Sequence, residues 1–202
     1  MADEASSHEP LNRLNDEERT LLLGLAREAL IAGVHGEPFP PIAEGRIPPR
    51  LLLPGATFVT LTKQNELRGC IGSLEAVRPL AEDVQVHAVA AALEDFRFPR
   101  VQPGEVSQIS IEISRLTTPE RINFVNEDEL LSQIRIGIDG VILRKGIRRA
   151  TFLPQVWEKV PEKEEFLGML CQKMGAPRDC WRHKDMEIFT YQVEKFQEAK
   201  AE

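Results

Sequence analysis

Ala56-Thr57-Phe58-Val59-Thr60-Leu61-Thr62-Lys63-Gln64-Asn65-Glu66-Leu67-Arg68-Gly69-Cys70-Ile71 is the stretch on which the fold turns. Ala56 to Thr62 is rich in β-branched and aromatic residues and reads as a strand. Lys63-Gln64-Asn65-Glu66 reads as a hairpin turn and Leu67 to Ile71 as the returning strand. Gly69 and Gly72 weaken that second strand, but they suit a bulge or a close approach of another backbone.

Upstream, Asn15 with Glu18 forms a capping box, and Leu22, Leu25, Ala26, Ala29 and Leu30 repeat as one helical stripe that Gly33 and Gly36 can end. Residues 37 to 55 carry six prolines and read as an ordered surface loop or linker without regular structure. Downstream, Pro79 suits the first turn of a helix with Leu80, Val84, Ala88 and Ala91 inside, ending near Asp95. Val106 to Leu116 reads as a long strand with Ile109, Ile111 and Ile113 on its buried face. Asn126 with Glu129 gives a second capping box for a short helix. Residues 136 to 143 read as two strand pieces around Asp139-Gly140, and Lys145 to Arg148 as a turn into Ala150 to Leu153. Pro161 opens another helix with Phe166, Leu167, Leu170 and Met174 inside and Gly175 at its end, and Met186 to Val193 reads as a last strand. Hairpins and separate helices without a βαβ repeat give an α+β class, a mostly antiparallel sheet with flanking helices.

The chain has 202 residues, 42% hydrophobic and 28% charged, enough for one large domain or two intimate subdomains with a real core. Its net charge of −7 leaves no positive field for general nucleic-acid binding. No apolar run approaches the ~20 residues of a membrane helix. The N-terminus is polar and acidic, without the apolar centre of a signal peptide, so residues 1–12 are expected to be a disordered tail and 13–197 the domain. Three cysteines, Cys70, Cys171 and Cys180, without a secretion signal point to reduced thiols in the cytoplasm. The spacing of Cys171, Cys180 and His183 does not match a usual zinc site, and no metal is expected.

The chemistry concentrates at Cys70. A thiolate is the reactive form of cysteine and a neighbouring cation favours it; Arg68, two residues away, would share a face with Cys70 on a regular strand. Cysteine is also among the most buried residue types, so packing is the competing role. His87 is a candidate base for Cys70, although nothing local brings the two together. Asp95-Phe96-Arg97-Phe98-Pro99 offers Arg97 as a planar fork for a small anionic ligand, or alternatively as a tie between helix end and sheet. Glu75 and Glu112 are weaker acid candidates, and Arg144, Lys145, Arg148 and Arg149 form a basic hairpin open to an acidic partner. GxGxxG, GxxxxGK[ST], HExxH and GxSxG are all absent, and no cofactor is expected.

LRGCIGS at 67–73, AAALEDFRFPRV at 90–101, IEIS at 111–114 followed by LTTPE, and GIDGVILRKGIRRATFLPQVWE at 137–158 together resemble the AMMECR domain family, over roughly residues 15 to 195. The shorter prokaryotic members are protein A of the AmmeMemoRadiSam system, and this chain looks like one of them. The resemblance implies an α+β fold with a larger and a smaller subdomain and a cleft between them near LRGCIG. It implies an association with a Memo-like protein and a radical S-adenosylmethionine protein, but no settled reaction. By the motifs, Arg68 and Cys70 are the candidate catalytic residues. Gly69, Ile71, Gly72, Asp95 and Arg97 are the candidate binding residues, with Phe98 and Pro99 beside them. Phe96 and Arg100 stand where many relatives have proline. The resulting expectation is an enzyme or enzyme subunit working through Cys70, with a non-catalytic binding or adaptor module as the alternative.

Overall fold

The computed structural model describes residues 13–39, 41–42, 45 and 47–199, so the expected tail at 1–12, with His8, lies outside the described residues. In chain order the elements are α1 (Asp16–Val34), β1 (Pro54–Lys63), β2 (Glu66–Gly72), β3 (Arg78–Pro79), α2 (Leu80–Leu93), β4 (Ile109–Leu116), β5 (Glu120–Arg121), α3 (Glu127–Gln133), β6 (Gly140–Lys145), β7 (Arg148–Phe152), α4 (Lys163–Lys173), β8 (Glu187–Tyr191) and β9 (Val193–Gln197). Short 3₁₀ turns occupy Pro49–Leu52, Pro103–Gln108, Pro154–Glu158 and Cys180–Arg182. This is an α+β fold. The chain divides into two compact units, Met1–Arg115 with Glu194–Glu202, and Leu116–Val193. No helix among the described residues is long and apolar enough to cross a membrane.

The first unit holds α1, α2 and a sheet of order β2-β1-β4-β9, with β3 paired to β1. α1 starts where its sequence says. Asn15 Oδ1 accepts the Glu18 N–H at 2.8 Å and the Glu18 carboxylate accepts the Asn15 N–H at 2.9 Å, so two otherwise unpaired amide groups are satisfied. Asp16, Glu17 and Glu18 complement the positive end of the helix dipole. Gly36, at φ +76°, ends it in the left-handed region. Leu22, Ala26 and Leu30 of α1, Val84, Ala88 and Ala91 of α2, Val59 and Leu61 of β1, and Ile109, Ile111 and Ile113 of β4 form one core. Gln64 (φ 55°) and Asn65 (φ 65°) make the tight turn of the β1–β2 hairpin.

The second unit pairs its strands in the order β5-β8-β6-β7, with α3 and α4 in the same unit. Phe166 of α4 stacks on Trp157 at a centroid separation of 3.6 Å and meets Phe152 edge-on at 5.2 Å. Lys145 pairs with Arg148 across Gly146-Ile147, which confirms the expected hairpin.

Several expected boundaries move, each for a visible reason. The long strand begins at Ile109 because Pro103 starts a 3₁₀ turn in which Glu105 closes its own capping box on Gln102. The proline-rich stretch is not wholly irregular, since Pro49–Leu52 forms a 3₁₀ turn and β1 starts at Pro54. α2 stops at Leu93, short of Asp95. Glu129 does not return to Asn126 but takes the N–H of Val125 at 2.9 Å, so Asn126 caps α3 alone. Residues 136–138 are a turn, not a strand. Asp139 accepts the Arg135 N–H at 2.8 Å and its guanidinium at 2.7 Å, while Gly137 takes φ +76°. The expected strand at 186–193 is β8, in the second unit's sheet, and a further strand, β9, follows it in the first unit's. Cys171 and Cys180 form a disulfide, with Cα atoms 6.1 Å apart, so the expectation of three reduced thiols is corrected. That bond also removes the zinc reading, and no metal-holding cluster occurs among the described residues.

Candidate functional site at the rim of β2

β2 pairs antiparallel with β1, but the register slips after Thr62↔Leu67, and Leu61 then faces Gly69. Arg68 is the extra residue of a β-bulge. The slip decides where Cys70 goes. Continued evenly from Lys63↔Glu66, the ladder would set Arg68 opposite Leu61 and Cys70 opposite Val59, both positions on the core face. With the bulge, Cys70 faces Thr60, whose hydroxyl donates to Cys70 Sγ at 3.2 Å. Cys70 is half-buried and is the chain's one free thiol.

Both glycines of the motif are required by packing. A Cβ on Gly69 would overlap the carbonyl oxygen of Ala91 and lie 3.0 Å from its carbon, so α2 rests directly on the β2 backbone. A Cβ on Gly72 would overlap Thr57 O and Phe58. Ile71, opposite Val59, packs against the core.

β2 is at the end of the sheet order, where a strand presents unpaired backbone groups. At Cys70 these groups are taken by side chains from the turn after α2. Asp95 Oδ2 accepts the Cys70 N–H at 2.8 Å, and Arg97 Nη2 donates to the Cys70 carbonyl at 3.2 Å. Asp95 and Arg97 hold each other through Nε–Oδ1 at 2.8 Å and Nη2–Oδ2 at 2.6 Å, and the Arg97 N–H adds a third bond to Asp95. The Arg97 guanidinium first, then the Cys70 and Arg97 N–H groups, hold the Asp95 carboxyl well below the usual carboxylate range against the cost of burial. Asp95 in turn raises Arg97. Arg97 sits over the Phe98 ring at 5.5 Å and leaves Nη1 without a partner among the described residues. Its neighbour Phe96 is 95% exposed.

Arg68 is engaged elsewhere. Nε and Nη2 donate to Glu105 at 3.3 and 3.0 Å, and Nη1 donates to the Pro99 carbonyl at 2.7 Å. Glu105, which also takes Lys63 Nζ at 2.9 Å, is pulled down to about 2 by Arg68 first, then by the Gln102 N–H and Lys63. His87 is a tie between helix and sheet. Its Nδ1 lies 3.1 Å from Asp83 Oδ2 and 3.3 Å from Thr57 Oγ1, while Asp83 also takes the Thr57 N–H at 2.9 Å. Glu112 faces Lys195 at 3.9 Å; Arg144 pairs with Glu187 and Lys145 with Asp185. The structure thus brings Gly69, Cys70, Asp95 and Arg97 together and directs Arg68 and His87 to other partners. Sequence reasoning missed Thr60 and Glu105. A count across the hairpin would have found Thr60 only with the bulge already known.

The fold and this rim define a class: an α+β protein with a thiol on a sheet edge that is capped by an Asp–Arg turn. The AMMECR1 family model matches residues 18–196. A protein of Thermofilum pendens is 38% identical over 201 residues, covering 93% of both chains. A protein of Methanopyrus kandleri is 38% identical over 202 residues, covering 94% of this chain and 93% of its own. A crystal structure of a protein from Pyrococcus horikoshii superposes with a TM-score of 0.71 at 36% identity, covering 92% of this chain and 93% of that one. The chain belongs to the AMMECR1 family.

Proposed function

We propose that this chain is an enzyme, or the subunit of one, in which the Cys70 thiol is the reacting group and Arg97 Nη1 receives an anionic group of the substrate. The observation that supports it is a half-buried free thiol on a residue whose backbone bonds Asp95 and Arg97, with one nitrogen of that guanidinium unengaged. In this reading Arg97, rather than Arg68, supplies the cation beside Cys70. Gly69 and Gly72 allow the helix and neighbouring strand to set the thiol's position. Alkylation tests it at a single site, because the other two cysteines are joined. A guanidinium about 4 Å from an incoming anion in water is worth about 1 kcal/mol, or about fivefold in rate. Anionic iodoacetate should therefore gain about fivefold on neutral iodoacetamide, relative to their ratio on free cysteine, and Arg97→Gln should abolish the gain. A ratio equal to that of free cysteine in both proteins would remove the anionic-substrate role.

The second reading is a non-catalytic binding or adaptor module, favoured by the full engagement of Arg68 with Glu105 and Pro99. Under both readings the partners are a Memo-like protein and a radical S-adenosylmethionine protein. Affinity capture from a cell carrying all three tests this. Both partners should be retained, and a double charge reversal at Arg148 and Arg149 should reduce recovery under the adaptor reading. Capture of neither by the unaltered chain rejects the partnership.

A further inference from the structure

The first unit holds a cavity that shares no lining residue with the Cys70 rim. Its volume is about 960 Å³, at the upper end of the ~300–1,000 Å³ typical of small-molecule sites. Its wall comes from α1, the β1–β2 turn, the 3₁₀ turn Pro103–Gln108, the start of β4 and the end of β9.

The charged residues of this wall among the described residues are Arg27 and Glu198, and they engage each other. Arg27 Nε donates to Glu198 Oε1 at 2.9 Å and Nη2 donates to Glu198 Oε2. Nη1 donates to the Val106 carbonyl at 3.1 Å and Nη2 also to the Ile109 carbonyl at 2.7 Å. Glu198 Oε2 accepts the Ile111 N–H at 2.9 Å as well. Every nitrogen of the guanidinium is thus occupied, and an ion entering the cavity meets no free counter-charge. No aromatic ring lines the cavity among the described residues, so a planar base has nothing to stack on.

The rest of the polar lining is neutral and unengaged. Gln64, Asn65, Gln108 and Gln197 present side-chain amides, and Thr62, Ser107 and Ser110 present hydroxyls. Among the described residues none of these side chains has a hydrogen-bond partner. Amides and hydroxyls both donate and accept, as do the hydroxyls of a sugar ring. Ile31, 42% exposed, adds an aliphatic surface on which ring C–H groups can rest.

One residue of the wall is kept at a backbone cost. Gln64 has φ 55°, in the left-handed region where glycine is at ease and few other residues go. Asn65, at φ 65°, is of a type that tolerates this region, whereas glutamine is not. A long amide therefore stands where the turn alone favours a smaller residue, and it lines the cavity.

We propose that this cavity binds a short neutral saccharide, whose hydroxyls are taken by the amides of Gln64, Asn65, Gln108 and Gln197. The site is independent of the chemistry at Cys70.

Maltose, cellobiose and N,N′-diacetylchitobiose are the probes, each titrated against the isotope-labelled full chain and followed by NMR at the side-chain amide groups. At least one should give saturable shifts at Gln64, Asn65, Gln108 and Gln197, with a dissociation constant on the order of 1 mM. Gln64→Gly suits the turn's backbone and removes the side chain, so the fold is kept and affinity should fall about fivefold, the worth of one hydrogen bond. Gln108→Ala should weaken binding by a similar factor, and Gln172→Ala, on α4 of the second unit, should leave it unchanged. Affinity unaltered in both Gln64→Gly and Gln108→Ala overturns the location. No saturable shift with any of the three sugars overturns the saccharide class, as does an equal response to glycerol. Saturable shifts with the neutral peptide acetyl-Gly-Ser-Gly-amide and not with the sugars also overturn that class, in favour of a peptide chain.

Discussion

Gly69→Ala should cost at least about 4 kcal/mol, a large share of the ~5–15 kcal/mol that holds a domain folded. The reason is backbone against backbone. The new methyl would overlap the Ala91 carbonyl oxygen, and neither partner is a side chain that can swing aside. Relief requires α2 to lift from β2. That opens the core at Val84, Ala88 and Ala91 against Val59 and Leu61, and draws Asp95 away from the Cys70 N–H. Gly104→Ala is the control, since nothing lies within 4 Å of a Cβ there and it should change stability by no more than about 0.5 kcal/mol. Urea midpoints for the three proteins decide the matter. A Gly69→Ala loss below about 1 kcal/mol would mean that α2 does not rest on this strand.

Where the local sequence signal and the tertiary demand coincide, the fold was legible. Asn15 and Glu18 satisfy each other within four residues, so the start of α1 needs no knowledge of the rest of the chain. The β1–β2 hairpin and the Gly146-Ile147 turn were legible for the same reason. The errors arose where a remote partner redirected a local group. Glu129 has the spacing of a capping box yet bonds Val125, and Ile136 to Ile138 have strand composition yet are curled by the Arg135–Asp139 bond. β9 has no separate mark in the sequence, because a change of sheet leaves an alternating pattern unaltered. The Cys171–Cys180 bond has no signature in the sequence, because an odd cysteine count says nothing of which Cα atoms come within bonding range.

At the site, the sequence named Cys70, Asp95 and Arg97 in separate motifs; the structure joins them and turns Arg68 to Glu105. Arg68 and Cys70 would share a face only on an even strand, and the bulge at Arg68 breaks that premise. The physical reason for the bulge is visible in hindsight: an even ladder would have driven the Arg68 guanidinium into the core beside Leu61, whereas the slip places Gly69 there and sends Arg68 to Glu105. Asp95 and Arg97 were identified, but their contact with Cys70 spans 25 and 27 residues of chain and has no local signature. LRGCIG and DFRF therefore form one structure, an edge strand and the turn that caps its rim.

Asp95→Ala tests that unity. The side chain is only 2% exposed, so its bonds are poorly screened. Removing it leaves the Cys70 N–H and the Arg97 N–H and guanidinium without their acceptor, a loss of about 3 kcal/mol at neutral pH. The pH dependence carries a sign. The folded carboxyl lies well below its ordinary value, chiefly through Arg97, so the folded state favours the ionised form. Its contribution is then complete above the unfolded value of about 3.9 and is lost as pH falls through that value toward the folded one. The stability difference between wild type and Asp95→Ala should be flat from about pH 5 to pH 8 and shrink below about pH 4. Asp95→Asn keeps an acceptor for Cys70 but no charge for Arg97, and should fall between the two. Loss of the cap should also raise the alkylation rate of Cys70, because the rim is then released while Thr60 remains. Urea midpoints across that pH range, paired with iodoacetamide rates, separate the outcomes. A stability difference that persists undiminished at low pH would show that the Asp95 carboxylate charge contributes nothing to the cap. An unchanged alkylation rate would show that Cys70 is positioned by β1 alone.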